Sequence, residues 1–202
     1  MTDPDGREAG YFDALYAANP DPWGFATDEY EREKYAATLA ALPRRRWAYG
    51  FEAGCSIGVF TRQLAARCDR LLAVDYAASA VAAARARCAD LPNVEVARAS
   101  IPRDWPAFPI DLVVLSEVLY FLPRADVERS ALLARQRLAA GGSIVLVNWR
   151  GDTGTSLSGD AAADLFVRGL GQGWNVARRE QNAQYRLDLV CRTAEGPVND
   201  LL

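Results

Sequence analysis

At 202 residues, half of them hydrophobic and about a quarter charged, the chain has the balance of one folded domain rather than of a disordered segment. Its formal charge of −3 argues against a protein that tracks a phosphate backbone, and no apolar stretch approaches the ~20 residues of a membrane span. Histidine is absent, so proton transfer must fall to a carboxylate, a tyrosine, water or a substrate, and no metal site is expected.

The polar start, Met1-Thr2-Asp3-Pro4-Asp5-Gly6, has no secretory signal, and Cys55, Cys68, Cys88 and Cys191 form no C-x-x-C pair, so a cytoplasmic protein with free thiols is expected. Residues 8–18 read as a short, weak helix ending at Asn19-Pro20-Asp21-Pro22, where two prolines force an extended path. Thr27 is placed to cap a longer helix over residues 28–42, with Asp28, Glu29 and Glu31 in its first turn and Pro43 as its stop. Arg44-Arg45-Arg46 reads as a solvated turn before a strand.

From Trp47 the period changes. Strands are expected at 47–52, 71–74, 94–96, 110–115 and 143–149, and helices at 59–67, 77–89 and 125–139, the last stopped by Gly141-Gly142. Strands alternating with helices, some as continuous apolar runs, indicate a parallel sheet covered on both faces. After a polar loop over 151–158, Ser158 is placed to cap a helix over Gly159–Leu170. Runs at 174–179 and 185–192 then predict a terminal antiparallel hairpin, with a frayed tail from Ala194. The expected organisation is one domain: a helical segment (1–43), an α/β core (44–193) and a tail (194–202).

The informative stretch is Phe51-Glu52-Ala53-Gly54-Cys55-Ser56-Ile57-Gly58, where the first strand meets its helix. Gly54 and Gly58 let the backbone turn tightly and let a ligand approach at the carboxyl ends of the strands, where open α/β sheets bind ligands. The dinucleotide fingerprint needs a middle glycine that this loop lacks. Glu52 would repel a pyrophosphate but favour a group carrying an ammonium and a sulfonium. Asp75, ending the second strand, can accept both hydroxyls of a ribose in either cofactor. The plainer alternatives are a turn that binds nothing and a solvated strand end.

These residues, with Phe108-Pro109-Ile110-Asp111-Leu112-Val113-Val114, resemble the class I S-adenosylmethionine-dependent methyltransferases over residues 47–192. The chain more closely resembles the nodulation N-methyltransferase (NodS-type) family. That resemblance is carried by Asp21-Pro22-Trp23, Tyr30-Glu31-Arg32-Glu33-Lys34-Tyr35, Glu52-Ala53-Gly54-Cys55 and Ser116-Glu117-Val118-Leu119-Tyr120-Phe121-Leu122. It implies an α/β, Rossmann-like class I methyltransferase fold: a mostly parallel seven-stranded sheet, a C-terminal antiparallel hairpin and an N-terminal helical lid over bound S-adenosyl-L-methionine. It also implies methyl transfer to an amine on a glycan or other small metabolite. The expected cofactor residues are Trp23, Tyr30, Glu52, Gly54, Cys55, Gly58, Asp75, Tyr76, Ser100, Ile101 and Ser116. Many such enzymes carry an acid after the third strand; here Ala99-Ser100-Ile101 offers only the weaker Ser100 hydroxyl.

On the acceptor side, Glu117 follows the fourth strand and is the candidate to hold or deprotonate an amine. Its alternative is a first-turn acid favourable to a helix dipole. Tyr120 either lines the site or packs in the core, and Trp23 and Tyr30 either cover adenosine or pack helices. Arg150 and Asp152, after the fifth strand, are candidate substrate contacts. The Asn/Asp-Pro-Pro-aromatic motif of nucleic-acid amino-methyltransferases is missing. A small-molecule or glycan acceptor, no nucleic-acid or membrane partner, and a monomer or homodimer are therefore expected. In-line transfer from a sulfonium needs alignment rather than a nucleophile triad. The competing readings are O- or C-directed transfer, a nicotinamide-dependent oxidoreductase on the same fold, and a catalytically silent binding module.

Overall fold

The run Ile110-Asp111-Leu112-Val113-Val114-Leu115 forms the middle of the molecule because only a strand covered on both faces can bury so many consecutive apolar side chains. In the computed structural model, which describes residues 10–192, this strand is β4 (Ile110–Ser116). Around it lie β1 (Trp47–Ala53), β2 (Cys68–Asp75), β3 (Val94–Arg98), β5 (Leu138–Trp149), β6 (Trp174–Gln181) and β7 (Tyr185–Arg192). The sheet order is β3-β2-β1-β4-β5-β7-β6; the first five strands in chain order run parallel, and β7 joins β5 and β6 antiparallel. This is the expected Rossmann-like, mostly parallel arrangement, with the hairpin at one edge.

The helices are α1 (Tyr11–Ala18), α2 (Glu29–Ala41), α3 (Val59–Leu64), α4 (Ala78–Arg87), α5 (Arg124–Arg137) and α6 (Gly159–Leu170). Alternation along β4 sends Val113 and Leu115 into a core with Phe51, Trp105 and the inner faces of α5 and α6. Leu112 and Val114 enter the opposite layer, with Phe60 and Leu64 of α3 and Tyr35 and Ala41 of α2. Thus α2 packs directly on the sheet. By contrast, Tyr16 is the one buried residue of α1, and it meets Ile57, Ala77 and Ala80.

Several boundaries differ from expectation. The cap of α2 is Asp28, whose carboxylate accepts the Tyr30 N–H at 2.9 Å, not Thr27. The pair Gly141-Gly142 lies inside β5 rather than stopping a helix. Leu138 is already paired with Ile110, so α5 ends at Arg137, and the pairing skips register between Ile110 and Leu112. A Cβ on Gly142 would come within 2.9 Å of the Ala139 and Asp111 carbonyl oxygens, so this crossing requires glycine. Ser158 caps α6 as expected, accepting from the Ala161 N–H. Arg44-Arg45-Arg46 is an exposed turn before β1, as expected, with Arg44 donating to the Gly141 carbonyl. Residue 8 and the tail from Ala194 lie outside the described residues. No described helix is long and apolar enough to cross a membrane.

Candidate active site

The carboxyl ends of β1, β2 and β4 meet in one cavity of about 1090 Å³. Its first wall is the turn after β1. Gly54 sits at φ 81°, and its N–H and that of Cys55 both donate to the Val74 carbonyl, at 2.8 and 3.0 Å. A Cβ on Gly54 would lie 2.1 Å from Val118 Cγ2, so the turn and the segment after β4 can approach only over a glycine. Gly58, at φ 79°, has a different role: a Cβ there would lie 2.9 Å from Ala84 Cα. It lets α3 pack against α4 and is not among the residues that line the cavity.

Asp75 braces this turn. Its carboxylate accepts the Ser56 N–H at 2.8 Å and the Ala77 N–H at 2.9 Å, and burial raises its pKa despite these donors. Glu52 projects from the end of β1 with only 2% of its surface exposed, and its Oε2 has no hydrogen-bond partner among the described residues. Burial pushes this carboxyl up to about 7, with the Thr61 hydroxyl opposing and Asp75 adding to the rise. A buried carboxylate oxygen without a partner is costly, and a cationic group of a ligand would relieve it.

The N-terminal segment closes the cavity. The Tyr16 hydroxyl bonds Ser56 Oγ, and Asp13 accepts the N–H and hydroxyl of Ser79 at 3.2 Å in the first turn of α4, which lacks a side-chain cap of its own. Tyr16, Trp23 and Phe25 form an aromatic string along the wall, with Trp23 half-exposed at the mouth. Tyr76, Ser100 and Ile101 line the side beyond Asp75.

The far end is built on Glu117, which follows β4 at φ 57°, a conformation uncommon outside glycine. Its Oε1 accepts from Lys34 Nζ at 2.9 Å; its Oε2 accepts from the Tyr120 hydroxyl at 2.9 Å and the Trp149 N–H at 2.7 Å. Lys34 also donates to Glu31 at 2.8 Å and lies 5.0 Å from the centre of the Tyr30 ring. Burial pulls the Lys34 ammonium down, but the two carboxylates outweigh it and hold its pKa above the usual lysine value. Burial raises Glu31, with Lys34 opposing.

Of the expected site residues, Trp23, Tyr30, Glu52, Gly54, Cys55, Asp75, Tyr76, Ser100, Ile101, Ser116, Glu117, Tyr120 and Asp152 all line this one cavity. Arg150 does not: it pairs with Asp160 at 3.1 Å and donates to the Asn182 carbonyl, tying the loop after β5 to α6 and the hairpin. Tyr30 stands at the Glu117 end, its ring edge-on to Trp149, rather than beside Asp75. Sequence reasoning missed Lys34, Glu31, Tyr16 and Trp149. The signal for the first two was present, since residues 31, 34, 35 and 38 recur at helical spacing, and charges on the buried face of a helix mark a built site.

The sequence model of the family Nodulation protein S (NodS) matches residues 14–164. Nodulation protein S of Bradyrhizobium diazoefficiens is 36% identical over 104 residues, covering 50% of this chain and 49% of that protein. Nodulation protein S of Rhizobium tropici is 32% identical over 131 residues, covering 63% and 55%. The chain spans about half the length of the curated relatives it matches. Among solved structures, N-methyltransferase NodS from Bradyrhizobium japonicum WM9 in complex with S-adenosyl-L-homocysteine superposes with a TM-score of 0.80 at 26% identity, over 93% of this chain and 100% of that one. A putative methyltransferase from Pseudomonas syringae is 36% identical, with a TM-score of 0.70 over 80% and 98%. The chain belongs to the NodS family.

Proposed function

We propose that this protein binds S-adenosyl-L-methionine at the β1–α3 and β2–α4 junctions and N-methylates an amine on a small metabolite or glycan. The observation that carries this reading is the single cavity joining Glu52, Gly54 and Asp75 to Glu117. Two features fit the cofactor: the buried, unpartnered Glu52 oxygen suits its ammonium, and the glycine cradle at Gly54 leaves room for close backbone approach. Asp75 would hold the ribose hydroxyls, with Tyr76, Ser100 and Ile101 beside the base, Tyr16 and Trp23 above, and Cys55 and Ser116 completing the wall. When bound, the group supplies a methyl on a cationic sulfonium.

The chain's own task is to bind, orient and exclude water. Glu117 accepts three donors, whereas a carboxylate has about four acceptor sites, so one position on Oε1 is left for an acceptor N–H. From there Glu117 holds a protonated amine and can take its proton, directly or through a water. Tyr120, Trp149 and Asp152 frame this end, and its acidic character favours an amine over a hydroxyl or carbon acceptor. Within the N-terminal segment, α1 and the loop to α2 act as the lid. This reading carries with it a cytoplasmic enzyme, a monomer or homodimer, that does not use nucleic acid.

Calorimetry with S-adenosylhomocysteine, followed by transfer assays on amine, alcohol and carbon acceptors, tests the reading. Binding of a nicotinamide dinucleotide instead would overturn the cofactor assignment. Cofactor binding with no transfer to any amine would overturn the reaction.

A further inference from the structure

Lys34 lies on the second helix, yet its ammonium reaches across the chain to Glu117, leaving its side chain only 3% exposed. Such burial of a lysine is unfavourable unless its donors are satisfied. Here two donors are taken by Glu31 and Glu117, and the Tyr30 face lies beside the nitrogen. Two carboxylates share one ammonium, so the group Glu31–Lys34–Glu117 carries one uncompensated negative charge when all three are ionised. Because both oxygens lie within 2.9 Å of the same nitrogen, they are no more than twice that distance apart, and only Lys34 screens them from each other.

Resting on the amine-transfer reading above, we propose that Lys34 is a positioning residue. It fixes the Glu117 carboxylate at the acceptor end of the cavity, and its triad with Glu31 presents one net negative charge that selects a cationic acceptor group. Three features support a positioning role over simple packing. Glu117 holds a left-handed backbone that surrounding contacts must enforce, and Lys34, the Tyr120 hydroxyl and the Trp149 N–H converge on its side chain from three elements. Lys34 lines the same cavity as the carboxylate it holds. The surplus charge survives because, among the described residues, no further cation is bonded to the triad: the other polar groups facing it are Tyr30, the Tyr35 hydroxyl beside Glu31, Tyr120 and the Trp149 N–H, with Tyr185 on β7 beside Tyr30.

The test uses Lys34→Met, Lys34→Arg, Glu31→Gln and the double variant Lys34→Met/Glu31→Gln in the full chain. The first readout is unfolding of the protein without cofactor as a function of pH. Glu31 is raised by burial and by Glu117 and lowered by Lys34, so loss of Lys34 raises it further. A raised carboxyl contributes stability at low pH that is lost as pH rises through its folded value. Lys34→Met should thus lose stability with rising pH more steeply than wild type, and the double variant, which has no Glu31 carboxyl left to ionise, less steeply than Lys34→Met. Equal slopes in the two would overturn the proposal.

The second readout is kinetic. Lys34→Met should lower kcat/KM for a cationic amine about tenfold or more, with Lys34→Arg recovering part of the loss, while S-adenosylhomocysteine affinity stays within about twofold. Glu31→Gln, which leaves the triad neutral and is the milder change, should raise KM for that amine about tenfold with little change in kcat. Wild-type kcat/KM in Lys34→Met, or an unchanged KM in Glu31→Gln, would overturn the proposal. Failure of wild type to bind S-adenosylhomocysteine would instead overturn the cofactor reading, leaving the pH-unfolding comparison to decide on Lys34 alone.

Discussion

Replacing Glu52 with glutamine separates the two consequences of burying an acid beside the proposed cofactor site. Burial moves this carboxyl from an ordinary 4.5 to about 7 in the folded protein. At about 1.4 kcal/mol per pKa unit, ionising Glu52 in the absence of ligand costs the fold about 3 kcal/mol. The folded value is raised, so the stability is present below about pH 4.5 and is lost as pH rises through 7. Glutamine keeps the shape and cannot ionise. The difference in unfolding free energy between Glu52→Gln and wild type should therefore grow in favour of the variant by about 3 kcal/mol from pH 4.5 to pH 8, roughly 6–12 °C in midpoint for a chain of this size. Taking the pH dependence of the difference removes the titrating groups that do not interact with Glu52 and any constant effect of the buried amide, which leaves Asp75 as the coupled neighbour. Binding should move oppositely: wild-type affinity for S-adenosylhomocysteine should rise with pH up to about 7 and then level off, since a contact with the ligand's ammonium requires the ionised acid. The variant should bind more weakly, with no such rise. Parallel unfolding curves across this range would refute the burial argument, and identical pH dependence of binding would refute the contact with the ligand.

Three further outcomes are expected. Gly58→Ala forces a Cβ against α4 at positive φ, so denaturant unfolding should show a loss of ~1–3 kcal/mol while Glu52→Gln-type pH effects stay unchanged. Asp75→Asn keeps the size of the side chain but loses the charge and one of the two acceptors that take the Ser56 and Ala77 N–H groups, so calorimetry should show S-adenosylhomocysteine binding weakened by ~1–2 kcal/mol. Asp13→Ala removes the tie between α1 and the start of α4, so hydrogen exchange of residues 11–18 should quicken while β4 amides remain protected.

The sheet was readable because its period is short and its apolar runs are long: β4, β1 and the terminal hairpin fall where alternation and turn residues place them. The misplaced helix stop at Gly141-Gly142 shows the limit. A glycine pair after a helical stretch looks like a C-terminal cap, but Leu138 gains more by pairing with Ile110 than by continuing α5, and that gain is visible only in three dimensions. The end of the cavity proposed to hold the cofactor was legible for a local reason, because Glu52, Gly54 and Cys55 sit on one turn and Asp75 ends the adjacent strand. The acceptor half was not. Glu117 could be picked from its strand end, but its partners Lys34 and Trp149 come from sequence positions 83 and 32 residues away. Arg150 was chosen over its neighbour Trp149 because charge is the louder signal in a sequence, whereas the fold turns Arg150 toward Asp160 and Asn182.

The same geometry divides the N-terminal segment into two parts with different costs of movement. Lifting α2 would expose Tyr35 and Ala41, strip Leu42 from the core, and break the buried pair between Lys34 and Glu117, while Glu31 and Lys34, both on α2, move together. Each buried side chain is worth up to ~2–3 kcal/mol, and a broken buried ion pair ~3–5 kcal/mol, so that opening approaches the whole stability of a domain. Lifting α1 exposes Tyr16 and breaks the hydrogen bonds from Tyr16 to Ser56 and from Ser79 to Asp13, together with edge contacts such as Phe12 on Phe121. That is a few kcal/mol, a cost that permits opening on the timescale of turnover. On the proposed reading, a ligand held between Glu52 and Asp75 is exchanged by displacing α1 and the Trp23 loop while α2 stays in place, and the Glu117 end of the cavity, tied to Lys34, stays assembled from one cycle to the next.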